Sequence, residues 1–224
     1  GTGEWLDKDS QVTVVISLGP ASHDIGALAG LSLDDATRTL DELYITASDD
    51  PSRVFTDAPA DQVVSASITP PGGGDAVDCT QGCTALEGST ASFEVSAGAI
   101  PDVAGRSIAD ATSILADVKL SVTTSEEYSD DVDSGRVMRV DHGDDVRPGD
   151  TVTLVVSKGP EPIEVPDVSG QTVAVAMQTL REAGFEPGTA LPEIVWGIFT
   201  VASTSPAAGT SQLPGTKITV RSTG

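Results

Sequence analysis

Ile100-Pro101-Asp102-Val103-Ala104-Gly105 and Val165-Pro166-Asp167-Val168-Ser169-Gly170 are two copies of one pattern: an aliphatic residue, Pro-Asp-Val, a small residue and a glycine. The residues after each glycine recur as well. Ala111 and Ala176 lie six residues on, Leu115 and Leu180 four further, and Leu120 and Phe185 five beyond those. Gly30 opens a third copy at the same intervals, with Ala36, Leu40 and Ile45. Leu33, Ile108 and Val173, three before each alanine, complete an i, i+3, i+7 apolar stripe, which predicts a helix of about three turns with one buried face. Ser32 and Ser107 precede the stripe and are followed three residues later by Asp35 and Asp110. That pairing occupies free backbone N–H groups and sets negative charge at the positive end of the helix dipole. Thr172 repeats the cap without its acid.

Each copy also ends alike. Val12, Val14 and Ile16 correspond to Ala91, Phe93 and Val95, then to Val152, Leu154 and Val156, then to Ile218 and Val220. Apolar residues alternating with polar ones predict strands buried on one face. Gly135-Arg136-Val137-Met138-Arg139-Val140 and Phe199-Thr200-Val201-Ala202 read as further strands between helix and last strand. The repeating unit is about 65 residues long, which points to a tandem-repeat architecture.

The paired Pro-Asp-Val segments, the Ala-x3-Leu helix, the turn Ser203-Thr204-Ser205-Pro206-Ala207-Ala208-Gly209-Thr210 and the closing Ser157-Lys158-Gly159-Pro160 resemble PASTA repeats. Those modules lie outside the membrane in bacterial transmembrane serine/threonine kinases and at the C-termini of some penicillin-binding proteins. The resemblance implies an α+β fold, each repeat a short helix packed on a small three-stranded sheet, arranged as an elongated rod. It divides the chain into residues 1–20, the C-terminal part of one repeat; 21–99, a repeat with a cysteine-containing insertion; 100–160; and 161–224, the membrane-distal repeat. The 21–99 segment departs from the pattern, with Ile25-Gly26-Ala27-Leu28-Ala29-Gly30 where Pro-Asp-Val is expected, so its opening strand is expected to be less rigid. Its excess length falls around Pro70-Pro71-Gly72-Gly73-Gly74 and the cysteines, which reads as an insertion in a turn.

Cys79 and Cys83 lie four apart with Gly82 between them, and a turn there brings their Cα atoms within disulfide range. A metal pair would need two further ligands, whereas His23 and His142 are remote in sequence, and a redox pair has the Cys-x-x-Cys spacing. A disulfide is the expected state, and it implies an oxidising compartment.

Twelve Lys and Arg stand against 34 Asp and Glu, a net charge of −22, which excludes nucleic acid and anionic membrane as partners. The chain is 38% hydrophobic, too apolar for a wholly disordered polymer, and it contains no apolar run of membrane-spanning length. No Gly-x-Ser-x-Gly elbow, His-Glu-x-x-His pair or phosphate-cradling glycine loop is present, so no catalytic residues and no cofactor are expected. The acidic run Ser129–Gly135 lacks the ligand pattern of a calcium loop and reads as a solvated loop, so no metal site is expected.

Charge is unevenly spread. Two bases face thirteen acids in residues 21–99, six face twelve in 100–160, and three face six in 161–224. The least acidic segment also holds the most aromatic stretch, Glu193-Ile194-Val195-Trp196-Gly197-Ile198-Phe199. Trp196, Glu193, Ile198 and Phe199 are therefore candidate ligand contacts, with Arg181, Lys217 and Arg221 as candidate partners for a carboxylate. The competing reading is that Val195, Phe199 and Val201 fill a small core with Trp196 as its lid. For Trp5 the expectation is packing between repeats. The resemblance implies an extracellular sensor on the cell-wall side of a plasma membrane, tethered by a membrane helix beyond this chain. It would bind peptidoglycan fragments or a lipid-linked precursor to control kinase clustering, with self-association an open possibility. The alternatives are a ligand-free spacer or cell-division scaffold, and the PASTA region of a penicillin-binding protein.

Overall fold

The computed structural model describes residues 11, 13, 14 and 16–223. Trp5 and Val12 lie outside the described residues, and Val14 and Ile16 are exposed and belong to no strand. The chain forms two compact units, one running to Ile100 and including Asp145–Pro148, the other holding Pro101–Asp144 and the residues from Gly149 onward.

In the first unit the order is β1 (Ser22–Ile25), α1 (Leu33–Asp41), β2 (Thr46–Ala47), β3 (Ser52–Val54), β4 (Val63–Thr69), β5 (Val77–Asp78), β6 (Cys83–Leu86) and β7 (Thr90–Ser96). The second unit continues with α2 (Ile108–Asp117), β8 (Ser121–Glu127), β9 (Val137–Asp141) and β10 (Thr151–Ser157). It ends with β11 (Ile163–Glu164), α3 (Val173–Glu182), β12 (Glu186–Gly188), a 3-10 turn at Glu193–Val195, β13 (Thr200–Ser205), β14 (Ser211–Gln212) and β15 (Lys217–Thr223).

One topology recurs three times. The strand after each helix runs parallel to the last strand of its segment, and the strand between them pairs antiparallel on the other side, so the last strand is central. The orders β8-β10-β9 and β12-β15-β13 are the expected three-stranded sheets. The 21–99 segment differs: two short strands, β2 and β3, both pair with β7, and the insertion adds β5 beside β4, giving five strands.

The helices dock on most of the predicted stripe: Val173 is buried and Leu33 half-buried, but Ile108 at the start of α2 is exposed. Ala36, Leu40, Ala111, Leu115, Ala176 and Leu180 are fully buried. Burying each leucine contributes about 2 kcal/mol. Ser32 Oγ accepts the Asp35 amide at 3.1 Å and donates to its carboxylate at 2.8 Å, and Ser107 with Asp110 repeats both distances. Thr172 makes no side-chain cap. There the Val173 and Ala174 amides donate instead to the carbonyls of Phe199 and Trp196 at 3.0 and 3.1 Å.

Candidate functional site

In β15, Ile218 and Val220 are buried and share a core with Val173, Ala176, Met177 and Leu180 of α3. Side chains alternate along a strand, so Lys217, Thr219 and Arg221 project from the sheet face opposite the helix. All three are exposed. Four residues of strand separate Lys217 from Arg221, about 13 Å. Beside them the register places Glu186 against Lys217, Gly188 and Ser205 against Thr219, and Ser203 against Arg221. Among the described residues neither Lys217 nor Arg221 has an acidic partner within ion-pair range, while Arg38, Arg53 and Arg139 are each paired to carboxylates. Arg139 is held most tightly, in a two-bond fork on Glu127 at 2.7 and 2.9 Å and a further bond to Asp141 at 2.8 Å.

The other candidates lie elsewhere on this repeat. Arg181 is exposed in the last turn of α3, in the helix layer, on the far side of the sheet from Lys217 and Arg221. Trp196 and Phe199 are half-buried against the α3 core, and the indole N–H donates to the Leu191 carbonyl at 2.9 Å. Trp196 thus packs against the core, and its carbonyl completes the start of α3. Glu193 and Ile198 are exposed, as is their neighbour Ile194, which is not among the seven candidates. The seven therefore do not form one site: Lys217 and Arg221 share the open sheet face, and the rest surround the helix.

Cys79 and Cys83 are joined, with Cα atoms 4.9 Å apart. Gly82 makes the ring possible: its φ is +103°, and a Cβ there would sit 2.9 Å from the Ile25 carbonyl oxygen. The insertion also ties down the segment expected to be less rigid. Ile25 pairs with Cys83 across β1 and β6, and the amides of Leu28 and Ala29 donate to the Thr80 carbonyl at 3.2 and 3.0 Å. The two later segments use aspartate for the same purpose, Asp102 accepting from the Ala104 amide and Asp167 from the Ser169 amide, each at 2.9 Å. The Ser169 hydroxyl and amide hold the Asp167 carboxyl below the usual range, and Thr80 does the same for Asp78.

A helix laid over a small sheet whose last strand is central, repeated along the chain, defines a tandem α+β repeat protein. The sequence profile of the PASTA domain matches residues 98–158 and 163–222, and the chain belongs to the PASTA domain family. The probable serine/threonine-protein kinase PknB of Corynebacterium glutamicum is 39% identical over 109 residues, 45% of this chain and 17% of that protein. The serine/threonine-protein kinase PknB of Mycobacterium tuberculosis is 33% identical over 134 residues, 56% of this chain and 21% of that protein. The chain thus spans only about a fifth of the length of these relatives. A solved extra-cellular region of the Ser/Thr kinase PrkC from Staphylococcus aureus aligns over 87% of this chain and 68% of its own, at 20% identity and a TM-score of 0.41. Among the described residues no helix is long and apolar enough to cross a membrane.

Proposed function

We propose that this chain is part of the extracellular sensing region of a receptor-type serine/threonine kinase, and that its last repeat binds carboxylate-bearing fragments of the cell wall. In this reading residues 21–99 are a further PASTA repeat and residues 1–20 the end of another. The family and the kinase relatives support the setting. The observation that carries the ligand is the Lys217–Thr219–Arg221 face, where two exposed cations, neither ion-paired among the described residues, stand on one strand in the least acidic part of the chain. Two cations about 13 Å apart suit an elongated ligand with separated carboxylates, such as a disaccharide bearing a stem peptide. The acidic segments before it repel the same ligand, which confines binding to this repeat. Binding outside, by holding receptors together, raises the local concentration of kinase domains inside and favours their mutual phosphorylation.

Calorimetric titration with a defined disaccharide-peptide tests the reading. The whole chain should bind saturably, and K217A/R221A should bind at least about tenfold more weakly. Equal binding by the two would overturn it.

A further inference from the structure

We infer that the 21–99 segment carries a second binding site, a groove for an uncharged sugar on the outer face of its sheet. The groove has a volume of about 480 Å³, within the range of small-molecule sites. Its floor is the face of β4 and β7 turned away from α1: Ala66 and Phe93 are buried toward the core, and Ser65, Ser67, Ser92 and Glu94 point outward. One wall comes from the insertion, which contributes Ala76, Asp78 and Thr80. Among the described residues the three-stranded sheets of the later segments carry no added strand like β5.

The lining selects the chemistry. Ser67 and Ser92 lie directly opposite each other across the β4–β7 pair, and among the described residues neither hydroxyl has a protein partner. Each serine hydroxyl donates one hydrogen bond and accepts two, so this pair matches a ligand whose groups both donate and accept, as sugar hydroxyls do. The acids do not make the groove a cation site. Glu94 is ion-paired with Arg147 and accepts from Ser65 Oγ at 3.4 Å. Asp78 Oδ1 takes the Thr80 amide at 2.8 Å and its carboxyl also bonds the Thr80 hydroxyl, so it too is engaged by the protein. An anionic ligand is disfavoured by a segment with thirteen acids and two bases. The disulfide ring sets the wall in place, since Thr80, inside the ring, accepts the Ala66 amide on its hydroxyl at 3.1 Å.

This site is independent of the one proposed on the last repeat, and one experiment separates them. The whole chain, isotope-labelled, is titrated with the uncharged tetramer of N-acetylglucosamine and followed by amide NMR. Saturable shifts are expected at Ser65, Ser67, Ser92 and Thr80, with none around Lys217 and Arg221. S67V/S92V, two replacements with strand-favouring residues on an open face, should retain the dispersed spectrum of the folded chain and bind at least about tenfold more weakly. Absence of shifts at millimolar sugar, or shifts that persist unchanged in S67V/S92V, overturns the inference. So does a groove that responds to spermine but not to the sugar. None of these outcomes bears on the Lys217–Arg221 face, whose failure would show only in the titration with the carboxylate-bearing ligand.

Discussion

The Ala29 amide donates to the Thr80 carbonyl at 3.0 Å, at the position where Ala104 and Ser169 donate to the carboxylates of Asp102 and Asp167 at 2.9 Å. An insertion that reads as surplus length in the sequence thus supplies a bond that the later segments draw from a single aspartate. The segment from Ile25 to Gly30 lacks Pro-Asp-Val and is held all the same.

The first prediction rests on that substitution of one acceptor for another. Closing the ring of residues 79–83 restricts the unfolded chain by about 2 kcal/mol, so C79S/C83S should lose about that much stability in urea unfolding. Ala27 stands where Asp102 and Asp167 stand. A27D should change little in the oxidised chain and recover about 1 kcal/mol in C79S/C83S, where the Thr80 carbonyl is no longer held in place. Equal effects of A27D in both backgrounds would show that the two acceptors do not substitute for each other.

A second prediction concerns the residue that ends each helix. Tyr44, Lys119 and Gly184 occupy equivalent positions with φ of 58°, 63° and 93°. Only glycine adopts this conformation without a steric cost. K119G should therefore stabilise the chain by up to about 1 kcal/mol. Gly184 is constrained further, because a Cβ there would approach Ile163 Cδ1 to 3.2 Å. G184A should destabilise by about 1 kcal/mol or more, and thermal unfolding of the two variants should shift in opposite directions.

Acid should weaken the fold through a few identified carboxylates. Asp35, Asp78 and Asp167 titrate below the ordinary range because of the Ser32, Thr80 and Ser169 hydroxyls respectively, and Glu127 because of its bonds to Arg139. A group whose pKa is depressed by folding stabilises the native state above its unfolded value, near 4, and loses that contribution as pH falls through the lower folded value. Melting temperature should hold steady down to about pH 4 and then decline. D167N should have a lower melting temperature at neutral pH and a shallower acid decline, and an unchanged slope would remove Asp167 from the explanation.

Trp196 separates core from ligand surface. W196F keeps a ring against the α3 core but gives up the bond to the Leu191 carbonyl, so it should cost about 1 kcal/mol in urea unfolding. W196A also removes the packing of a half-buried ring and should cost about 2 kcal/mol. A role in binding alone would leave the stability of both variants unchanged.

The helices were legible because their signal is local and threefold: the Leu40, Leu115 and Leu180 stripe, with Ser32 and Ser107 as caps, recurs at fixed intervals. The last strand of each later segment was legible from alternation, but its central place was not, because strand order depends on long-range pairing. The split of β2 and β3 and the added β5 were not, because strands of two or three residues carry no period. Trp196 read as the lid of a core more readily than as a ligand platform in the sequence. Its indole bond to Leu191, a contact with no sequence signature, holds the half-buried ring against the α3 core. Lys217, Arg221 and Arg181 were grouped in the sequence by charge alone, which does not tell the two faces of a sheet apart; only the structure separates the β15 pair from Arg181.

The most direct test is an amide NMR titration of the whole chain with a disaccharide-peptide carrying at least two free carboxylates, alongside K217A/R221A. Saturable shifts are expected along β15 and its neighbours at Gly188, Ser203 and Ser205. They should weaken about tenfold or more in the double variant and with rising salt, because both cations face solvent. Shifts that cluster around Arg181 and Trp196 and survive K217A/R221A, or no shifts at millimolar ligand, would contradict the assignment of this face.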